Sequence, residues 1–215
     1  MRLEFAQLQY SFPTPEVPSW SAKVDRWYQL DAPAYGLAQA FSRQVLPAGH
    51  VPSMILLASA GSSSETDFLF AKADVPSPSR FVHTLPSVRA VPLMQVMGWQ
   101  GPVLCFQNDP FTWLTGIEEA LGLCDSTNPE IWIVGARPLD GSNWSAHFAR
   151  LMHSDNSDPS ARLLIEPLKS RKNDPFKTRS TDADFWRWLE TDRVPESTFA
   201  LSSEWDLRQW DAKAP

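Results

Sequence analysis

The stretch from residue 101 to residue 138 constrains the fold of this chain most: it reads GPVLCFQNDPFTWLTGIEEALGLCDSTNPEIWIVGARP. Residues 103–106 form a short apolar run that is typical of a buried strand. The next segment carries large apolar side chains at spacings of three, three and four, which predicts a helix with one apolar face, at Phe111, Leu114, Ile117 and Leu121. Residues 131–134 are continuously apolar, as expected of a parallel strand that is covered on both faces. This strand–helix–strand order predicts a layered α/β fold.

The turn between the first strand and the helix contains Asn108, Asp109 and Pro110. Asp109 is a suitable N-cap, and Pro110 suits the first helical position because its missing N–H costs nothing there. A nucleophile at such a turn would gain from the positive end of the helix dipole, but proline has no nucleophilic group. Cys105 belongs to the strand, and we expect both Cys105 and Cys124 to pack as small apolar residues. On spacing alone, an ordinary strand–helix–strand unit explains this stretch equally well.

The rest of the chain adds more elements of both kinds. The predicted elements, in chain order, are an edge strand in 2–12, a helix at 34–46, a strand at 53–59, a short helix in 62–73, a helix in 87–99 that Pro92 must kink or delay, a strand at 161–168 and a helix at 182–190. Residues 138–160 are rich in Ser, Asn and Asp and are predicted to be a loop. Residues 170–215 are predicted to be a basic loop and an aromatic tail, either weakly structured or docked through Phe199, Trp205 and Trp210.

Length and composition favour one soluble domain that spans residues 1–215. The chain has 215 residues, of which 43% are apolar, and a net charge of −6. The acidic balance argues against a nucleic-acid partner, which requires clustered Lys and Arg. The apolar runs are far shorter than the ~20 residues of a membrane span, and the N-terminus lacks the pattern of a signal peptide. We therefore expect a cytoplasmic protein with no membrane span.

Motifs for metal, nucleotide or serine chemistry are absent from the sequence. The four His residues show no HExxH or paired spacing, and two Cys do not make a zinc site. Neither G-x-G-x-x-G nor a P-loop occurs, so no cofactor is predicted. The serine-rich segment at 58–65 lacks G-x-S-x-G, which makes Ser59 and Ser62 poor candidates for a nucleophile. His83 lies between two apolar runs and is better explained as a hydrogen-bonded structural group.

Four segments, in the same order along the chain, resemble β-ketoacyl synthases of the thiolase-like superfamily. Residues 101–121 followed by 130–138 resemble the nucleophile strand, its helix and the next strand of that family. Upstream and downstream, three further segments are similar to the helix that precedes the Gly-Pro, an earlier strand with its loop, and a later strand that ends in Glu: 77–102, 54–67 and 160–168. The resemblance covers roughly residues 50–168, whereas 1–33 and 170–215 match only loosely. It implies a thiolase-like layered half-fold with a mainly parallel β-sheet flanked by helices.

The chain departs from this family at the nucleophile. In the family a Cys stands nine residues after the Gly, and counting from Gly101 reaches Pro110. Condensation needs a thiolate to carry the acyl chain, which proline cannot supply. The family's later His and Lys motifs have no counterpart in the 77 residues after Pro138. The chain thus resembles an N-terminal ketosynthase half without the catalytic machinery, as in short stand-alone proteins of bacterial aryl polyene and fatty-acid-like gene clusters, some described as chain-length factors.

The resemblance implies a non-catalytic, chain-length-factor-like subunit of a type II fatty-acid or polyketide system, with aryl polyene biosynthesis as the expected pathway. Its implied partners are an active β-ketoacyl-ACP synthase, in a heterodimer, and an acyl carrier protein. Large apolar residues of two helices could line an acyl tunnel or a partner surface, although ordinary core packing explains most of them better: Met94, Met97, Trp99, Phe111, Trp113 and Leu114.

Two other functional classes remain open from the residues alone. The chain could be a small hydrolase or acyltransferase that uses Asp109, His83 or a serine. It could also be a small-molecule-binding or scaffold protein that kept the fold without chemistry.

Overall fold

The computed structural model describes residues 1–43, 51–58, 70–75, 85–107, 110–153, 163–167, 180–190, 198–200 and 205–209. The α-helices and strands that we number within these residues are β1 (Arg2–Ser11), α1 (Ala32–Ser42), β2 (Met54–Ala58), α2 (Val91–Met97), β3 (Val103–Phe106), α3 (Thr112–Leu123), β4 (Glu130–Asp140), β5 (Asn143–Met152), β6 (Leu163–Pro167), α4 (Asp182–Glu190), β7 (Thr198–Ala200) and β8 (Trp205–Gln209). A 3-10 helix, Pro86–Ala90, leads directly into α2. The predicted helix in 62–73 lies almost entirely outside the described residues.

All the numbered strands join one sheet in the order β3-β2-β4-β5-β1-β6-β8-β7. The predicted α/β fold is confirmed, but the sheet is mixed rather than mainly parallel. β2 runs parallel to β3 and β4, and the other pairings are antiparallel. A parallel pair needs a long crossover, which here contains a helix, whereas a tight turn forces its two strands to be antiparallel. The strand–helix–strand stretch therefore predicted only the parallel part of the sheet, which β2, β3 and β4 form.

The predicted loop at 138–160 is wrong for residues 138–152, where β4 and β5 form a long hairpin, and residues 154–160 lie outside the described residues. β4 continues to Asp140, β5 begins at Asn143, and Gly141 turns the chain with a φ of 47°. The polar residues Ser145, His147 and Arg150 of this segment are buried in β5. The dipeptide Asp140–Gly141 was the available signal, since Asp-Gly is a typical hairpin turn.

Strand residues alternate between two buried cores, one on each face of the sheet. On the first face, which we call the α3 face, Leu56, Ile131 and Ile133 pack with residues of α3 and α4, including Leu114, Ile117 and Phe185. On the opposite face, the α1 face, Ile55, Leu57, Trp132 and Val134 pack with Leu37 of α1 and Leu93 of α2. The apolar run at 131–134 is thus covered on both faces, as predicted.

The ends of α1 and α2 follow from their capping residues. α1 begins at Ala32, two residues before the predicted start, because the Asp31 carboxylate accepts a hydrogen bond from the backbone N–H of Ala34 at 2.9 Å. Pro92 lies in the first turn of α2, where its missing N–H breaks no helical hydrogen bond. The proline thus delays the helix, as the sequence predicted.

The first strand corrects one expectation, and the last strands decide between the two alternatives for the C-terminal segment in favour of docking through Phe199. β1 was predicted to be an edge strand, but it lies inside the sheet: it pairs with β5 over its whole length and with β6 at Arg2 and Leu3. The C-terminal segment is not weakly structured where it is described. It adds β7 and β8 to the sheet, and Phe199 docks into the core of the α3 face.

We predict that Gly135→Ala destabilises the fold, because β2 and β4 approach closely at this glycine. A Cβ at Gly135 would lie 2.0 Å from the carbonyl oxygen of Ala58, a backbone atom that cannot rotate away. The expected loss is about 2 kcal/mol or more in the free energy of unfolding, measured by urea denaturation. Gly122→Ala in α3 is the control, since nothing lies within 4 Å of its Cβ. It should stabilise the helix by about 0.5–1 kcal/mol, and an equal loss in both variants would contradict the prediction.

Candidate functional site

The carboxyl ends of the parallel strands β2, β3 and β4 meet at one edge of the sheet, where open α/β sheets place their ligands. The turn between β3 and α3 lies at this edge. Pro110 is exposed there, whereas Asn108 and Asp109 lie outside the described residues. This turn is the point at which the sequence resemblance places a nucleophile.

The first turn of α3 is capped by a residue from the far end of the chain. α3 begins at Thr112, so Pro110 is not its first residue, and Phe111 stands at the N-cap position without a capping group. The Asp182 carboxylate accepts hydrogen bonds from the backbone N–H groups of Trp113 at 2.8 Å and Leu114 at 3.0 Å. In return, the backbone N–H of Asp182 donates to the carbonyl oxygen of Pro110 at 2.9 Å. The prediction that Asp109 is the N-cap is therefore wrong. The carboxylate that accepts from the first-turn N–H groups belongs to Asp182, 73 positions later in the sequence.

Asp182 is available for α3 because its own helix is capped by its neighbours. Thr181 and Asp184 form a capping box at the start of α4: the Asp184 carboxylate accepts from the Thr181 N–H at 2.9 Å, and the Asp184 N–H donates to the Thr181 hydroxyl at 3.3 Å. The hydrogen bond from the Thr181 N–H holds the pKa of Asp184 below its usual range. The two acidic residues of this first turn therefore serve two different helices.

An aromatic cluster, which we define as Phe5, Trp113, His147, Phe185 and Trp186, lies beside this capped turn on the α3 face. The His147 ring stacks on Trp186 with 4.1 Å between centroids, and Trp113 meets His147 edge-on at 5.8 Å. Helix α4 closes over the cluster. Its C-terminal end is fixed by the ion pair between Arg137 and Glu190, 2.6 Å from Nη2 to Oε1, and the Arg137 guanidinium carbon lies 5.0 Å from the Trp186 ring centroid.

His147 is neutral at physiological pH. Burial, and secondarily the positive charge of Arg137, lowers its pKa from 6.5 to about 3. Its Nδ1 lies 3.5 Å from the Ser145 hydroxyl, and within the described part of the chain its Nε2 has no hydrogen-bond partner. Sequence reasoning missed this Ser145–His147 pair because it lies in the segment predicted to be a loop. Both residues are only 1% exposed, so the pair is closed to a substrate in this conformation.

The residues predicted to form an acyl or partner surface fall into two groups. Trp113 and Leu114 are 2% and 0% exposed and pack in the core of the α3 face, so core packing explains them, and a role in lining an acyl tunnel stays a prediction. The others are half-buried: Phe111 beside the start of α3, and Met94, Met97 and Trp99 against the core of the α1 face. Met94 and Trp99 also line an open groove of about 370 Å³ that Lys23 borders. The alternative site residues Asp109 and His83, with Ser59 and Ser62, lie outside the described residues.

Strand β3 exposes an uncharged edge. Of the strands that the structure describes, only β2 pairs with β3, and the four residues of β3 are Val103, Leu104, Cys105 and Phe106. Leu104 is 41% exposed, and Cys105 is exposed although the sequence predicted that it would pack inside. An edge strand without charges or proline invites pairing with another chain. Cys124, in contrast, is buried as predicted, and both thiols are free.

The described residues hold no cluster of three or more His, Cys, Asp or Glu side chains arranged for a metal ion. None of the helices in the described ranges is both long enough and apolar enough to cross a membrane. Partial burial raises the pKa of the Cys105 thiol, so this exposed cysteine is not an activated nucleophile.

Comparisons with known proteins identify the fold. No protein-family model and no curated protein matches the sequence. Among solved structures, the chain is similar to one in the complex of the ketosynthase ApeO with its chain length factor ApeC from Xenorhabdus doucetiae, with a TM-score of 0.59 at 14% sequence identity. The chain shares the fold of that chain. The superposition covers 97% of this chain and 100% of the other, so the two chains have similar lengths, and the thiolase-like α/β architecture implied by the sequence resemblance is confirmed.

We predict that buried His147 makes the fold sensitive to acid. The unfolded chain takes up a proton at this residue below pH 6.5, whereas the folded chain does so only near pH 3, so stability falls as the pH drops between these values. The full contribution is at most about 5 kcal/mol. Urea denaturation from pH 7 to pH 4 should show a shallower pH dependence for His147→Phe than for the unmodified chain. Substitution of exposed His153 by Gln is the control, and an unchanged slope for His147→Phe would contradict the assignment.

We also predict that Asp182→Ala lowers the free energy of unfolding by about 1–2 kcal/mol, since it removes the acceptor of two first-turn N–H groups. Asp182→Asn keeps an acceptor oxygen and should cost less. Glu119→Ala removes an exposed carboxylate of α3 that caps no helix end, and as the matched control it should change stability by less than about 0.5 kcal/mol. Equal stability of the Asp182→Ala and Glu119→Ala variants would show that the cap contributes nothing.

Proposed function

We propose that this chain is a non-catalytic, chain-length-factor-like subunit that assembles with an active β-ketoacyl-ACP synthase in a type II fatty-acid or polyketide system, of the aryl polyene type. The partner carries the acyl chain on its own cysteine and receives its substrates from an acyl carrier protein. This chain contributes structure to the pair and no covalent chemistry.

The observation that carries the proposal is the near-complete mutual coverage with a chain from a ketosynthase–chain length factor complex. A protein of similar length and fold occurs there in an assembly that contains both proteins. The resemblance to only the N-terminal half of a ketosynthase agrees with this, because such a half lacks the later His and Lys motifs.

The chemistry of the turn supports a non-catalytic role. Pro110 stands where the family carries its cysteine, and it has no group that could accept an acyl chain. The Ser145–His147 pair is buried, and an imidazole with a pKa of about 3 is a weak base near neutral pH. The hydrolase alternative therefore gains no support from the described residues.

The edge of β3 is the surface that we assign to the partner. A strand of the ketosynthase could pair with β3 along the edge that no described strand occupies. It would also cover the Leu104 side chain. The 3-10 helix Pro86–Ala90 contacts β3, and exposed Leu85 and Val91 flank that helix on either side. The apolar surface thus extends beyond the strand itself, as an interface larger than a single strand requires.

We predict that this chain and a β-ketoacyl-ACP synthase from the same organism form a stable heterodimer, and that Leu104→Lys weakens it by about thirtyfold or more, because a charge is then buried without a partner at the centre of the interface. The affinity is measured by titration calorimetry or by analytical ultracentrifugation of the mixed proteins. Leu139→Lys is the matched control, since Leu139 is a comparably exposed leucine, 37% against 41%, at the far tip of the β4–β5 hairpin.

Two results would overturn the proposal. One is a chain that elutes alone from the mixture and leaves the product lengths of the ketosynthase unchanged. The other is covalent capture of a radiolabelled acyl thioester on this chain in the absence of the partner. An equal effect of Leu104→Lys and Leu139→Lys would reject the β3 interface while leaving the heterodimer itself in place.

A further inference from the structure

The first turn of α3 is the part of the fold that would activate a nucleophile at position 110. N–H groups at the start of a helix, together with the helix dipole, stabilise a negative charge and lower the pKa of a nearby thiol. α3 is twelve residues long, and its N-terminal end follows β3 by a short turn at the ligand-binding edge of the sheet. A restored cysteine at Pro110 would therefore stand next to these N–H groups.

This turn already holds a negative charge that belongs to the chain itself. The Asp182 carboxylate uses one oxygen for the Trp113 N–H at 2.8 Å and the other for the Leu114 N–H at 3.0 Å. The Asp182 backbone binds the Pro110 carbonyl, so the carboxylate is held beside position 110 from two sides. The capping box of Thr181 and Asp184 fixes the first turn of α4 that carries Asp182.

We propose that Asp182 is an internal anion that permanently occupies the first turn of α3, so that this turn can neither activate a nucleophile nor hold an oxyanion. The block is independent of Pro110: it comes from helix α4, which docks across the site. A second negative charge beside the carboxylate is disfavoured by repulsion, and the N–H groups that would offset it are already taken. Restoration of a sulfur at residue 110 is therefore not sufficient to restore a reactive thiolate.

Helix α4 carries two further contacts that hold Asp182 in place. In its middle, Trp186 stacks on buried His147, and at its end Glu190 pairs with Arg137 of β4. The helix is thus attached to the α3 face at both ends and at its centre. The proposal rests on the proposed function only for the identification of this turn with the family's nucleophile turn.

The test introduces a thiol by Pro110→Cys in a Cys105→Ser background, with and without Asp182→Asn. Cys124 is buried and stays protected. The pH dependence of iodoacetamide alkylation at residue 110, followed by mass spectrometry, gives the pKa of the introduced thiol. With Asp182 present the pKa should stay at or above its ordinary value. Asp182→Asn should lower it by about one unit and speed alkylation at neutral pH about tenfold.

Glu119→Gln in the same background is the matched control, because it removes an equal charge from α3 itself, about 10 Å from its first turn. It should leave the thiol pKa within a few tenths of a unit. The Asp182→Ala variant is measured in parallel and should shift the pKa in the same direction as Asp182→Asn. Circular dichroism verifies that each variant remains folded at the assay temperature.

Each outcome decides the proposal separately from the proposed function. A thiol pKa that is equal with and without Asp182, or already depressed with Asp182 present, overturns the assignment of Asp182. A shift of the expected size in a chain that binds no ketosynthase leaves the assignment of Asp182 standing and rejects the subunit role. Formation of a heterodimer without a shift in the thiol pKa supports the subunit role and rejects the assignment of Asp182.

Discussion

The contact between the Asp182 carboxylate and the first turn of α3 connects the C-terminal part of the described chain with its middle. It anchors α4, and α4 in turn covers the aromatic cluster on the α3 face, where His147 and Trp186 stack. Without that cover, a polar imidazole and a large part of the apolar sheet surface would face water. The C-terminal segment, including Phe199 in the same core, is therefore an integral part of the domain rather than a tail.

The sheet combines parallel and antiparallel strand pairs, and the candidate site lies at the edge where the parallel strands β2, β3 and β4 end. β2, β3 and β4 are parallel, which brings their carboxyl ends to one side, whereas the β4–β5 hairpin and the later strands extend the sheet in antiparallel fashion. Gly135 allows β2 and β4 to approach closely near this edge. Parallel strands alone would need a helical crossover for every added strand, so the antiparallel hairpins complete an eight-stranded sheet with few residues.

Local patterns predicted the elements well where periodicity or capping decides them, as in β2, α3 and α4. They failed where a distant residue decides. Asp109 is a good N-cap by local rules, but α3 begins at Thr112, and tertiary packing of α4 brings the Asp182 carboxylate to the helix end. The polar residues Ser145 and His147 pointed to a loop because a sequence window does not show that neighbouring strands bury them. The Asp140–Gly141 dipeptide is the local sequence signal for that hairpin.

The first turn of α3 and the edge of β3 both bear on the proposed assembly of two chains. Residue 110, where the resemblance places a nucleophile, is proline, and Asp182 occupies the N–H groups that would activate a nucleophile there. A few residues earlier, β3 keeps an apolar, uncharged edge that a protein without a partner would be expected to protect. Under the proposed function, a chain whose first α3 turn is occupied, and whose β3 edge is paired with no described strand except β2, is suited to shape a site in another polypeptide. Because the first turn of α3 follows β3 in the chain, a ketosynthase strand paired with β3 would lie close to that turn.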